Sequence, residues 1–155
     1  MSELLFNNVQ LTRSYFLKNV SALDDGLVDV QPDGFNNTLH WHIGHVLTVA
    51  EQLMFGFPEN TNNLPVNYKE LFARGTKPAD WQGQVPSVKE LVEKLTDQLT
   101  RMNDIPVESI NKKLESPFLG CKTFGELVNF CLFHENLHLG QIQAMKRMIE
   151  TAQAK

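Results

Sequence analysis

The chain has 155 residues, and 42% of them are hydrophobic, enough to close one core, so a single domain over 1–155 is expected. A formal net charge of -4 offers no basic stripe to neutralise a run of phosphates, which argues against nucleic acid and against an anionic membrane surface as partners. No apolar run approaches the ~18 residues that span a bilayer, Met1 to Phe16 lacks the pattern of an export signal, and the two cysteines, Cys121 and Cys131, are too few for a disulfide framework. The expectation is a soluble, cytoplasmic protein with free thiols.

Leu4, Leu5, Val9, Tyr15, Phe16, Val20 and Leu23 recur at three- and four-residue intervals, which predicts a first helix ending near the breaker Asp24-Asp25-Gly26. After a polar linker with Pro32, Asp33 and Gly34, Leu39, Ile43, Val46, Ala50, Leu53 and Phe57 predict a second helix from about Asn37 to Gly56. From Phe57 to Pro86 the chain holds four prolines, with only Tyr68 to Arg74 reading as a short helix. So long a connection suggests a crossover over one end of a bundle. Ser87-Val88-Lys89-Glu90 matches a capping box and opens a third helix to about Asp104. Pro106 and the stretch Ser116-Pro117 to Gly120 mark another loop, with Glu108 to Glu115 read as exposed. Thr123-Phe124-Gly125-Glu126 is a second capping box, opening a fourth helix to about Glu150. No segment reads as a strand, so the predicted class is all-α, a four-helix bundle.

The apolar stripe of the fourth helix runs through Phe124, Leu127, Cys131, Ile142, Met145 and Ile149, and at 100° per residue His134 and His138 fill its gap. Four residues apart, the two rings lie one turn above each other and can share one ion. A single core histidine is most simply bonded to a carbonyl, but two on successive turns each need a donor and an acceptor in a site with few partners. The run His134-Glu135-Asn136-Leu137-His138 also matches HExxH, in which two histidines bind zinc and the glutamate is a general base. The glycine and third histidine of a metzincin are missing downstream, and Glu150 lies about three turns beyond, so the zinc-protease reading is weak. A third ligand is then sought on the second helix. Periodicity leaves the choice open: His42 lies nearer the centre of the apolar stripe, His45 further round toward a seam, and His40 more nearly outward.

Trp41-His42-Ile43-Gly44-His45 on the second helix and His134 to Ile142 on the last resemble the motifs of the DinB-like (DinB/YfiT-like) family of metal-binding helical bundles. The resemblance covers nearly the whole chain, including the crossover with its Arg74-Gly75 element. It implies His45, His134 and His138 as ligands, an up-down-down-up bundle and frequent homodimers. Gly44 is compatible with a close approach beside His45. Three imidazoles leave a divalent ion, zinc or nickel, with open positions, the ligand count of a catalytic site. Glu135 is the candidate general base or hydrogen-bond partner of a ligand, Gln141 a candidate polar contact, and Cys131 a buried apolar residue. The resemblance implies a metal-dependent enzyme on a small molecule, either a transferase using a low-molecular-weight thiol or a hydrolase. The alternative is a non-catalytic, stress-associated metal-dependent binding or sensing module. Free imidazole competes with protons near pH 6.5, so metal affinity is expected to fall through about that value.

Overall fold

The structure is a computed structural model that describes residues 2–57 and 59–155, and it is mostly helical. Helix α1 is Ser2–Val20, the one-turn α2 is Asp25–Val28, α3 is Leu39–Phe55, α4 is Asn67–Phe72, α5 is Val88–Asn103 and α6 is Phe124–Gln153. A hairpin of β1 (Lys113–Phe118) and β2 (Cys121–Thr123) precedes α6. The starts of α3, α5 and α6 are fixed by side chains that satisfy orphan N–H groups. Thr38 accepts from the Trp41 amide, while Ser87 with Glu90 and Thr123 with Glu126 form both predicted capping boxes.

The structure departs from the sequence reading at both connections. Helix α1 stops at Val20, earlier than expected, because Asp24 starts a helix of its own and accepts from the Gly26 amide at 2.7 Å. The stretch after α5, expected to hold no strand, contains a 3₁₀ turn over Val107–Asn111 and then the hairpin, so Glu108 to Glu115 is not a plain loop. Pro117 and the mostly exposed pattern of β1 hide it from a search for alternation. Its turn is Leu119-Gly120, with φ of 52° and 79°, the two left-handed positions that a tight hairpin turn demands. A leucine there gives none of the usual Asn-Gly or Asp-Gly signal.

Helix α3 packs on α4, α5 and α6, and α1 packs on α5 and α6. Contacts Arg13–Glu135 and Asn19–Gln143 set α1 parallel to α6. His42 meets His138 and His45 meets His134, so α3 and α6 run antiparallel. The core lies in two apolar clusters, one around Phe16, Leu39, Leu47, Phe72 and Leu95, the other around Leu53, Met102, Phe124 and Leu127.

A buried polar chain crosses the interior of the molecule. Arg13 occupies a core position of α1 between Val9 and Phe16 and is 0% exposed. It grips both oxygens of Glu135, at 2.8 and 2.9 Å, and donates to Gln98 Oε1 at 2.7 Å. Gln98 donates onward to Glu51, whose carboxylate also takes two bonds from Arg101, and Arg101 reaches Asn63 and the Thr61 carbonyl on the crossover. Removing one member of such a pair leaves a buried charge without a partner. Glu135→Leu is therefore expected to cost about 3–5 kcal/mol in urea unfolding, and adding Arg13→Met should recover part of it. Losses that simply add would assign the cost to packing rather than to the stranded charge.

Candidate metal centre

Four histidines face one another where α3 crosses α6. On α3 the N-cap Thr38 starts the helix so that His42 and His45, three apart, both turn toward α6. On α6 His134 and His138 occupy successive turns of the facing surface. His45 Nε2 lies 3.1 Å from His134 Nε2, and His138 Nε2 lies 3.2 Å from that same atom. One ligand atom from each of these three residues falls within 4.8 Å of the others. Tetrahedral bonds of about 2.0–2.1 Å place neighbouring ligand nitrogens roughly 3.3 Å apart, so the three rings fit a single ion.

The outer nitrogen of His45 fixes the tautomer of that ring. His45 Nδ1 sits 2.6 Å from the Phe72 carbonyl oxygen, an acceptor, so its hydrogen is on Nδ1 and its Nε2 lone pair faces the cluster. That carbonyl is delivered by the crossover. Phe72 closes α4, and its ring lies against Gly44, where an added Cβ would collide with it. Trp41 stacks on His45 at 4.5 Å with 12° between planes, and its indole N–H donates to Thr76 Oγ1 at 2.9 Å. The crossover is thus tied to α3 on both sides of His45. On the other ligand, Phe130 lies nearly parallel to His134 at 6.4 Å.

Burial and mutual proximity keep the rings neutral, the form that coordinates. Burial, then His45, lowers the His42 and His134 values to about 4. Burial followed by His134, His45 and His42 lowers His138 to about 2. Burial also lowers His45, against the opposing Phe72 hydrogen bond.

The other expected site residues lie elsewhere. Glu135, the candidate general base, has both oxygens held by Arg13 inside the core, where the pair ties α1 to α6. His42 is not among the three clustered ligand atoms; its Nδ1 meets His138 Nδ1 at 2.8 Å. His40, expected to point outward, is buried between Asp29 Oδ1 and the Pro86 carbonyl, each at 2.8 Å, because the segments before α3 and α5 fold over it. The Cys131 thiol is buried and pushed up to about 12 by that burial and by Glu135, and it is not among the three clustered ligand groups. Gln141 Oε1 and Thr48 Oγ1 are buried with no hydrogen-bond partner among the described residues. Sequence reasoning missed Arg13, although an arginine in the Val9–Phe16–Val20 stripe was a visible signal, and it missed the Phe72 carbonyl, which no sequence pattern marks.

In the unfolded chain histidine binds a proton near pH 6.5, whereas His42 and His134 in the folded chain stay neutral down to about 4. Between these values the unfolded state holds more protons, so stability of the metal-free protein is full above pH 6.5 and falls toward pH 4. The expected slope is up to about 1.4 kcal/mol per pH unit for each ring, read from urea midpoints across that range. A flat profile would show that the rings are already protonated or solvated. Gly44→Ala should push Phe72 from α3 and destabilise the protein by about 1–3 kcal/mol, while weakening zinc binding in a chelator competition through loss of the His45 anchor.

No curated protein matches the chain. The family profile of the DinB superfamily matches residues 8–142, a span that includes α3, the crossover and all four histidines at the α3–α6 crossing. The chain belongs to the DinB superfamily.

Proposed function

We propose that this protein is a metal-dependent enzyme acting on a small molecule, with a divalent ion, zinc or nickel, held by His45, His134 and His138. The observation that carries the reading is the convergence of three Nε2 atoms to spacings of 3.1 and 3.2 Å around one point. A divalent ion with three imidazole ligands supplies Lewis acidity at an open position, where it lowers the pKa of a water or a thiol. The chain's own groups orient the rings through the Phe72 carbonyl, the Trp41 stack and the His42 contact. Among the described residues the hydrogen-bond partners of these rings are other imidazoles and the Phe72 carbonyl, while the Glu135 carboxylate is paired with Arg13. The charge of the ion is then left for the substrate to balance, which favours an anionic ligating group. A low-molecular-weight thiol meets that requirement in a transferase, and water losing a proton meets it in a hydrolase.

In the same reading the long helices α1, α3, α5 and α6 form an up-down-down-up bundle, and two chains pair as a cytoplasmic homodimer. Exposed Leu4 and Leu11 on α1 with Phe133 and Leu137 on α6 support the pairing. A second reading is a non-catalytic metal-dependent binding or sensing module.

Elemental analysis of protein purified without a histidine tag is expected to find about one zinc or nickel per chain, lost in His134→Ala and in His45→Ala. The loaded protein should conjugate a small thiol to an electrophile or cleave an ester faster than the His134→Ala variant does. Bound metal with no turnover on either class would favour the sensing module. Retention of metal by both alanine variants would end the three-histidine reading, and a monomer in sedimentation would end the dimer.

A further inference from the structure

We propose that His42 is a positioning residue of the metal centre, its Nδ1 accepting the Nδ1–H of His138 and so holding that ring with its Nε2 lone pair toward His45 and His134. The inference rests on the three-histidine reading and adds a residue which that reading does not use as a ligand. The two Nδ1 atoms are 2.8 Å apart in a buried contact, a distance that requires a hydrogen between them. Two arrangements are possible, and they differ in what the cluster receives. If His42 donated, His138 would carry its own hydrogen on Nε2, aimed at His134 Nε2 3.2 Å away, and the ion would lose a ligand. If His138 donates, its Nε2 is free to coordinate and the hydrogen of His42 moves to the far side of that ring. Only the second arrangement gives three lone pairs at one point.

His42 is well placed to enforce this choice. It lies in the first turns of α3, its amide bonded to the Thr38 carbonyl at 3.1 Å, and the edge of Trp41 packs against it at 5.2 Å with 87° between planes. A ligand histidine is more often oriented by a carboxylate or a main-chain carbonyl. A neutral imidazole draws less on the Nδ1 hydrogen than a carboxylate would, so His138 remains a weaker donor and the ion keeps more of its positive charge. Together with the Phe72 carbonyl at His45, this gives two of the three ligands neutral partners. The outer contacts therefore work in the same direction as the missing carboxylate, toward an anion-seeking open position.

The test is a chelator competition with zinc alone, together with the visible spectrum of the cobalt-substituted protein, on the wild type and on His42→Leu, His42→Asn, His42→Asp and His134→Ala. The Asn side chain can place an acceptor oxygen close to where Nδ1 of His42 sits, and Leu cannot. His42→Leu is expected to lose about 10- to 100-fold in zinc affinity, with His42→Asn staying within about threefold of wild type. His42→Asp should bind at least as tightly as wild type and shift the cobalt bands, because an anionic acceptor makes His138 a stronger donor. A packing role alone would rank Leu with or above Asn and leave the cobalt bands unmoved. Equal affinity in wild type and His42→Leu, or equal losses in Leu and Asn, would overturn the proposal. If His134→Ala loses zinc while His42→Leu keeps it, the three-histidine reading survives and this one does not; wild type that binds no zinc removes both.

Discussion

Four imidazoles packed between two antiparallel helices create a demand that the surrounding protein does not meet. The hydrogen of His45 is committed to the Phe72 carbonyl, and its other nitrogen, with Nε2 of His134 and of His138, points into a shared space. His134 Nε2 has one hydrogen or one lone pair to offer, so one of the two nitrogens beside it is left unmet within the cluster whichever tautomers are chosen. An unmet buried polar group costs about 1–3 kcal/mol, and a cation at that point satisfies all three rings at once. Low proton affinity follows from the same geometry, since each ring is buried beside others that would have to share positive charge.

The rest of the fold can be understood as what holds α3 and α6 in that apposition. Apolar clusters on either side bury both helices, but apolar packing is non-directional and sets no register by itself. The polar chain from Arg13 through Glu135, Gln98 and Glu51 to Arg101 is directional and touches α1, α6, α5, α3 and the crossover in turn. Glu135 follows His134 in sequence, so its grip on Arg13 also fixes the rotation of α6 about its axis and with it the aim of both ligand rings.

The crossover completes the site from outside the helix pair. Gly44 lets Phe72 lie directly on α3, and that contact brings the Phe72 carbonyl to His45. Trp41 and Thr76 close the other side. A segment that reads as a proline-rich connection thereby supplies an orienting acceptor for a ligand.

Much of this was legible in the primary structure, for reasons that are local. Helix positions follow from apolar spacing and from the capping boxes at Ser87 and Thr123, both of which act within a few residues of themselves. The pairing of His134 with His138 follows from the helical repeat, and the family resemblance from the motifs Trp41 to His45 and His134 to Ile142, both inside the matched span 8–142. What only the tertiary structure decided concerns groups whose partners are remote in the chain. Periodicity could not choose between His42 and His45, because both face α6 and only the antiparallel offset brings His45 to His134 while giving His42 to the far nitrogen of His138. HExxH spacing suggested a base at Glu135, but an arginine 122 positions away takes its carboxylate. The hairpin at Leu119-Gly120 and the burial of His40 likewise depend on neighbours that sequence order does not reveal. Local periodicity fixes which face a side chain occupies; its hydrogen-bond partner is set by how distant faces meet.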